Sequence, residues 1–215
     1  MPHLTPEELH AGLDHIRAVP SDEGALAMIV TRPALGERQL LDEGQLHAEL
    51  GLVGDNWLTR GSRHTPDGSA APDKQITVMN IRVADLVACG RERASLAGDQ
   101  LYVDFDISID NLPPGSLLAI GAAVLEVSES PHLGCAKFVD RFGEEAMRFV
   151  NSQLGRSLRL RGVNTRVVVP GTIRVGDRVT RTVECDDPRL KWGSISRGSL
   201  HSTLHHQGDR RFEVF

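Results

Sequence analysis

Leu101-Tyr102-Val103-Asp104-Phe105-Asp106-Ile107-Ser108-Ile109-Asp110 alternates apolar and polar residues without a break. Side chains on a β-strand point to opposite faces with a period of two. The run therefore predicts one strand, with Leu101, Val103, Phe105, Ile107 and Ile109 on a core face and the polar residues on the other. Downstream, Leu117–Ile120 and Ala123–Val127 flank Gly121-Ala122, the pattern of a hairpin. Upstream, Ala25–Thr31, Arg38–Asp42 and Ile76–Met79 read as further strands, with an irregular stretch to Gly51. Beyond residue 155, short strands are expected at Leu158–Leu160, Val167–Val169, Ile173–Val175 and Val179, punctuated by Pro170-Gly171 and Gly176-Asp177. Many short strands indicate a mainly-β domain, a barrel or a folded-over sheet.

Three helices complete the expected outline. Thr5-Pro6-Glu7-Glu8 has the form of a capping box, with Leu9, Leu13 and Ile16 on one face of the helix it opens. Asn80 can cap a helix that runs to Cys89 and stops at Gly90. Phe142, Ala146, Phe149 and Val150 repeat at helical spacing within 138–153. The expected organisation is an N-terminal helical extension over 1–24, a β domain over 25–184 and a C-terminal tail over 185–215.

The chain has 215 residues and a formal charge of −5, with 40% apolar and 25% charged residues. These values fit a globular protein and argue against broad binding to nucleic acid or to an anionic membrane. No apolar run is long enough for a membrane-spanning helix and no signal peptide is visible. Three cysteines, Cys89, Cys135 and Cys185, lack CxxC spacing. A disulfide framework and a structural zinc site are both disfavoured, and a reducing cytoplasm is expected.

Cys135 stands in Pro131-His132-Leu133-Gly134-Cys135-Ala136-Lys137, between a strand and a helix. Gly134 permits close approach of a ligand, and Lys137, His132 or the start of the helix can stabilise a thiolate. A lone thiolate suits a soft or thiophilic metal that brings most of its own ligands, whereas zinc would need three or four protein ligands. Cys89 and Cys185 read as small hydrophobes. Asp104, Asp106 and Asp110 share a strand face and read as solvated. His201, His205 and His206 lie in a polar tail and read the same way. Gly51-Leu52-Val53-Gly54-Asp55-Asn56-Trp57 can present backbone amides to an anion, though without phosphate-loop spacing. Lys74, Arg159, Arg161 and Arg166 are candidate phosphate contacts or plain surface charges.

Four segments taken together resemble the MOSC domain family, named for the C-terminal domain of molybdenum cofactor sulfurases. They are Gly51–Asp55; Asp110-Asn111-Leu112; Leu118–Phe138, which contains Cys135; and Arg161-Gly162-Val163-Asn164 through Pro170–Asp177. The resemblance implies a β-barrel with a few peripheral helices and a family cysteine, matched by Cys135, that ligates molybdenum or carries sulfur. It implies molybdenum cofactor (molybdopterin) as the bound group. Asp55, Asn56, Lys74, Asn111, His132, Lys137, Arg161 and Asn164 are its expected contacts. In stand-alone members the metal reduces N-hydroxylated small molecules with electrons from redox partner proteins. A carrier would instead exchange sulfur with cofactor-biosynthesis proteins through a Cys135 persulfide. A binding domain with an inert, buried Cys135 is the third reading. The chain departs from a family variant with His-Gly-Gly-Pro in the first long loop, reading Arg63-His64-Thr65-Pro66-Asp67-Gly68 there.

Overall fold

The computed structural model describes residues 3–63 and 65–182. Cys185, His201, His205 and His206, the 185–215 tail and His64 lie outside the described residues.

Two short helices open the chain, α1 (Pro6–Ala11) and α2 (Leu13–Arg17). Thr5 Oγ1 accepts the Glu8 amide at 3.3 Å and the Glu8 carboxylate accepts the Thr5 amide at 2.8 Å, the expected capping box. Next come β1 (Glu23–Thr31), β2 (Gln39–Leu41), β3 (Glu43–His47), β4 (Gly51–Leu52) and α3 (Trp57–Arg60). Then follow β5 (Ile76–Asn80), α4 (Ile81–Ala88), α5 (Arg91–Ala94), β6 (Leu101–Asp104), β7 (Leu117–Ile120) and β8 (Ala123–Val127). The last elements are α6 (Ala136–Asn151), α7 (Gln153–Ser157), β9 (Val163–Val169), β10 (Gly171–Arg174) and β11 (Arg178–Thr182).

The sheet runs β11-β7-β8-β9-β5-β6-β1, and β1 pairs back onto β11 through Glu23↔Thr180 and Gly24↔Val179. That pairing closes a barrel, so these strands leave no open sheet edge between them. Every pairing is antiparallel except β5–β6, whose crossover is made by α4 and α5. β2 extends outward from β1, and β10-β3-β4 forms a separate small sheet.

Leu26, Ile29, Val78, Leu101, Val103, Leu118 and Leu125 fill the barrel, each fully buried. Burying a side chain of this size stabilises by about 1.5–3 kcal/mol. A second core lies outside the barrel wall, where Leu9, Leu13 and Ile16 join Met28, Met79, Tyr102, Phe138 and Phe142. The expected polar face of the 101–110 strand is thus covered by helices. Tyr102 is fully buried there, and Asp104 pairs with Arg82 of α4 at 2.7 Å. The strand also ends at Asp104, six residues early. The Asp106 side chain accepts the Ser108 amide and turns the backbone out of the sheet, although Phe105 and Ile107 remain in the core.

Two further expectations change. Leu158–Leu160 is a turn after α7, since Leu158 and Leu160 donate back to Leu154 and Gly155. The stretch expected to be irregular up to Gly51 contains β3 and β4. α6 bends at Gly143, whose φ of +90° favours glycine; a Cβ there would stand 2.6 Å from the His3 ring. Among the described residues no helix is long and apolar enough to cross a membrane.

Candidate functional site

The β8–α6 connection carries Cys135. Its backbone is extended (φ −125°, ψ 174°) at the N-cap of α6, and its carbonyl accepts the Phe138 amide at 2.8 Å. The thiol makes no capping hydrogen bond and is exposed, so the third reading is corrected on one point: Cys135 is not buried. Cys89 is exposed as well, at the left-handed C-cap of α4, so it is not the buried hydrophobe expected. Asn164 on β9 fixes the loop, with Nδ2 donating to Ser130 O at 3.1 Å and Pro131 O at 3.2 Å.

His132 supplies the second anchor. Its Nε2 lies 2.7 Å from Asp99 Oδ1, while Arg161 Nη1 donates to Asp99 Oδ2 at 2.7 Å. Asp99 is fully buried at the entrance to β6. Burial alone would raise its carboxyl, but the neighbouring Arg161 and His132 outweigh that and hold it well below the usual carboxylate range. Burial, reinforced by Arg161, pushes the His132 imidazole down against the pull of Asp99. His132 is therefore neutral at neutral pH, its proton on Nε2 facing the carboxylate and its Nδ1 lone pair directed away. Arg161 also donates to Ala97 O at 3.1 Å and stacks over Phe138, 5.1 Å from the ring centre. Tyr102 closes the cluster, its hydroxyl accepting the Asp99 amide at 3.2 Å, and burial raises that phenol far above its usual range.

In front of this cluster opens a cleft of about 630 Å³. Cys135 lies on its wall with Arg32, Arg38, Arg60 and Lys74 from the segment before β5, Lys137 and Arg141 from α6, and Arg161. Among the described residues no Asp or Glu side chain lines it. Arg38 is depressed from the ordinary arginine range by burial and by the like charges of Arg141 and Arg32. Arg60 is depressed by burial and by Arg32. Arg38 Nε, Arg161 Nε and Asn56 Oδ1 are buried without hydrogen-bond partners. A concave site with crowded cations and unspent donors is complementary to a bound polyanion.

The structure brings Asn56, Lys74, His132, Cys135, Lys137, Arg161 and Asn164 to this one cleft. It does not bring Asn111, whose Nδ2 is spent on Ser21 O at 3.0 Å and Asp106 O at 2.8 Å, nor Asp55. Asp55 is buried behind the wall, where it receives Arg32 Nε at 2.7 Å, Arg32 Nη2 at 2.8 Å and the Trp57 amide at 2.9 Å. The backbone amides of Asp55 and Asn56 donate to Leu52 O and Arg32 O, so this turn offers them to no anion. Asp99, Arg32, Arg38, Arg60 and Arg141 were not foreseen. Arg141 had a signal, because it lies four residues after Lys137 on the same helix and so on the same face. The others come from strand ends, a loop and the last residue of α3, which only the closed barrel brings together. Among the described residues no group of three or more His, Cys, Asp or Glu side chains is arranged to hold a bare metal ion.

Comparison with known proteins agrees with this architecture. No curated protein matches the chain at a significant level. YuaD from Bacillus subtilis superposes with a TM-score of 0.56 at 14% identity, covering 73% of this chain and 94% of that one. YiiM from Geobacillus stearothermophilus superposes with a TM-score of 0.50 at 14% identity, covering 75% of this chain and 76% of its own. These likenesses establish a shared fold. Residues 65–180, more than half of the sequence, match the MOSC domain. The chain belongs to the MOSC domain family.

Proposed function

We propose that the cleft binds molybdenum cofactor and that Cys135 is the protein ligand to its metal. The observation that carries this reading is the exposed Cys135 thiol on the wall of a cleft that, among the described residues, is lined by seven cationic side chains and no carboxylate. The residues fit the group. A pterin phosphate would find Arg38, Arg60, Lys74, Lys137 and Arg141 without carboxylate partners among the described residues. The orphaned Arg38 Nε and Asn56 Oδ1 supply a donor and an acceptor for it. A cofactor-borne metal needs only one protein sulfur, which matches a site without a cluster of protein ligands.

When bound, the cofactor supplies two-electron oxygen-atom chemistry at molybdenum, here the reduction of an N-hydroxylated small molecule. The chain's own residues set the conditions for it. Asn164 and the Asp99–His132 bond hold the loop so that the Cys135 sulfur is presented at a fixed place. Arg161, tied to Asp99 and stacked on Phe138, keeps a positive charge at the back wall. His132 holds its proton on Nε2 against Asp99 and leaves Nδ1 unprotonated. The exposure of Cys135 leaves room for a redox partner protein to approach, and a reducing cytoplasm would keep the thiol free.

Protein purified from a host that makes the cofactor should contain molybdenum and pterin in stoichiometric amounts by metal and fluorescence analysis, and Arg38→Glu should retain far less of both. Wild-type protein free of molybdenum, but gaining one sulfur on Cys135 after treatment with a sulfur donor, would instead indicate a persulfide carrier.

A further inference from the structure

A second cavity, of about 330 Å³, lies behind the 130–133 wall of the basic cleft. Its surface is largely hydrocarbon, from Ile109, Pro114, Val150 and Val163. Polar groups interrupt that surface: His132, Arg161 and Asn164 are shared with the basic cleft and already bonded, and three others belong to this cavity and have capacity for a ligand. Ser128 Oγ and Asn151 Oδ1 are buried in it without hydrogen-bond partners. Arg159 is the third, half-buried, with its backbone in the left-handed region at φ 49° where a residue with a side chain is strained.

Arg159 Nη1 donates to Leu112 O at 2.5 Å, and among the described residues the guanidinium forms no ion pair. Burial alone lowers its pKa, with no carboxylate to offset the effect. Glu129 stands at the cavity rim, exposed and unpaired with it, while Arg156 is turned to Asn151 O at 2.9 Å. A partly desolvated cation without a counter-ion is costly, and a ligand that brings a carboxylate removes that cost. The planar guanidinium fork also matches a carboxylate in two parallel hydrogen bonds.

We infer that this cavity binds a small organic acid with an apolar body, its carboxylate on Arg159 and the Ser128 hydroxyl. The hydrocarbon part lies against Ile109, Val150 and Val163, and Asn151 Oδ1 accepts from a hydroxyl or amino substituent where the acid carries one. The inference stands apart from the cofactor reading, because Arg159, Ser128 and Asn151 do not line the basic cleft.

The test titrates the full-length protein calorimetrically with 3-phenylpropionate and with 3-phenylpropionamide, its neutral match. The acid should bind at least about tenfold more tightly than the amide, the scale of one lost charge-assisted hydrogen bond. Arg159→Gln should abolish that preference, and Ile109→Trp, at the half-exposed rim, should block both compounds. Lys74→Ala in the basic cleft should change nothing. Equal binding of acid and amide, or no binding of the acid at ~10 mM, overturns the inference on wild-type protein alone. A preference that survives Arg159→Gln but is lost in Lys74→Ala places the acid in the basic cleft and overturns it equally.

Discussion

Asp99 Oδ1 and His132 Nε2 stand 2.7 Å apart, joining the entrance of β6 to the loop that carries Cys135 three residues later. The same carboxylate holds Arg161 at 2.7 Å, so one buried acid organises both the thiol loop and the back wall of the cleft. Removing it as Asp99→Ala leaves the Arg161 guanidinium buried without its counter-charge. The expected loss is about 3–5 kcal/mol in urea unfolding, the range for breaking one side of a buried pair.

Stability should also depend on pH through His132. Its folded pKa is lowered, so between that value and the unfolded value of about 6.5 the unfolded chain binds more protons. Stability therefore rises with pH up to about 6.5 and falls on acidification below it. Asp99 is also depressed, and its contribution is full above about pH 4 and lost only as pH falls through its folded value. The window from pH 7 to 5 thus reports on His132 and not on Asp99. His132→Gln, which can still donate to Asp99, should lose less stability than wild type between pH 7 and pH 5 in chemical denaturation.

Gly162 tests the packing beneath this network. It sits at φ 102°, and a Cβ there would lie 2.5 Å from Val78 O and 3.2 Å from His132 Cδ2. Gly36 has a similar φ of 86° but nothing within 4 Å of its Cβ position. Gly36→Ala should cost about 1–2 kcal/mol, the conformational penalty alone. Gly162→Ala should cost more by at least ~1 kcal/mol, because a backbone carbonyl must also move. Comparing the two by thermal and urea unfolding separates collision from strain.

The crowded cations make a direct claim on ligands. Pyrophosphate, as a minimal polyanion, should bind the cleft, and the affinity should fall as salt rises. Lys74→Ala and Lys137→Ala should each weaken it by roughly three- to tenfold at low ionic strength, the worth of about 1 kcal/mol per exposed charge contact. Calorimetry at low and high salt reads both effects.

Much of the outline was legible in the sequence because it rests on local chemistry. The hairpin at Gly121-Ala122, the Thr5–Glu8 box and the Asn80 cap are each written within a few residues, and each forms as read. The strand at Leu101 was recognised by its period, but its length was overread, since Asp106 can end a strand without breaking the alternation. Its polar face misled for a related reason. Tyr102 and Asp104 can be covered by helices and an Arg82 partner that no strand pattern reveals. The short strands β3 and β4 were missed because β3 gains its longer pairing from β10, far along the chain, and β4 pairs with β3 through only two residues, Gly51 and Leu52. In the site, Cys135, His132 and Lys137 are neighbours in sequence and were found together. Arg32 and Arg38 reach the same cleft only because barrel closure places the end of β1, and β2 paired beside it, near the Cys135 loop, and Asp99 has no marked sequence context at all. Asn111, though part of the family pattern, proves to brace Ser21 and Asp106 away from the cleft lining.

The account turns on what the Cys135 sulfur touches. The most direct measurement is X-ray absorption at the molybdenum edge of cofactor-loaded wild type and Cys135→Ser, counting the sulfur ligands of the metal. The expected result is one sulfur more in wild type than in the variant, with the pterin sulfurs common to both. Identical sulfur counts in two equally loaded proteins would contradict the claim that Cys135 is the ligand.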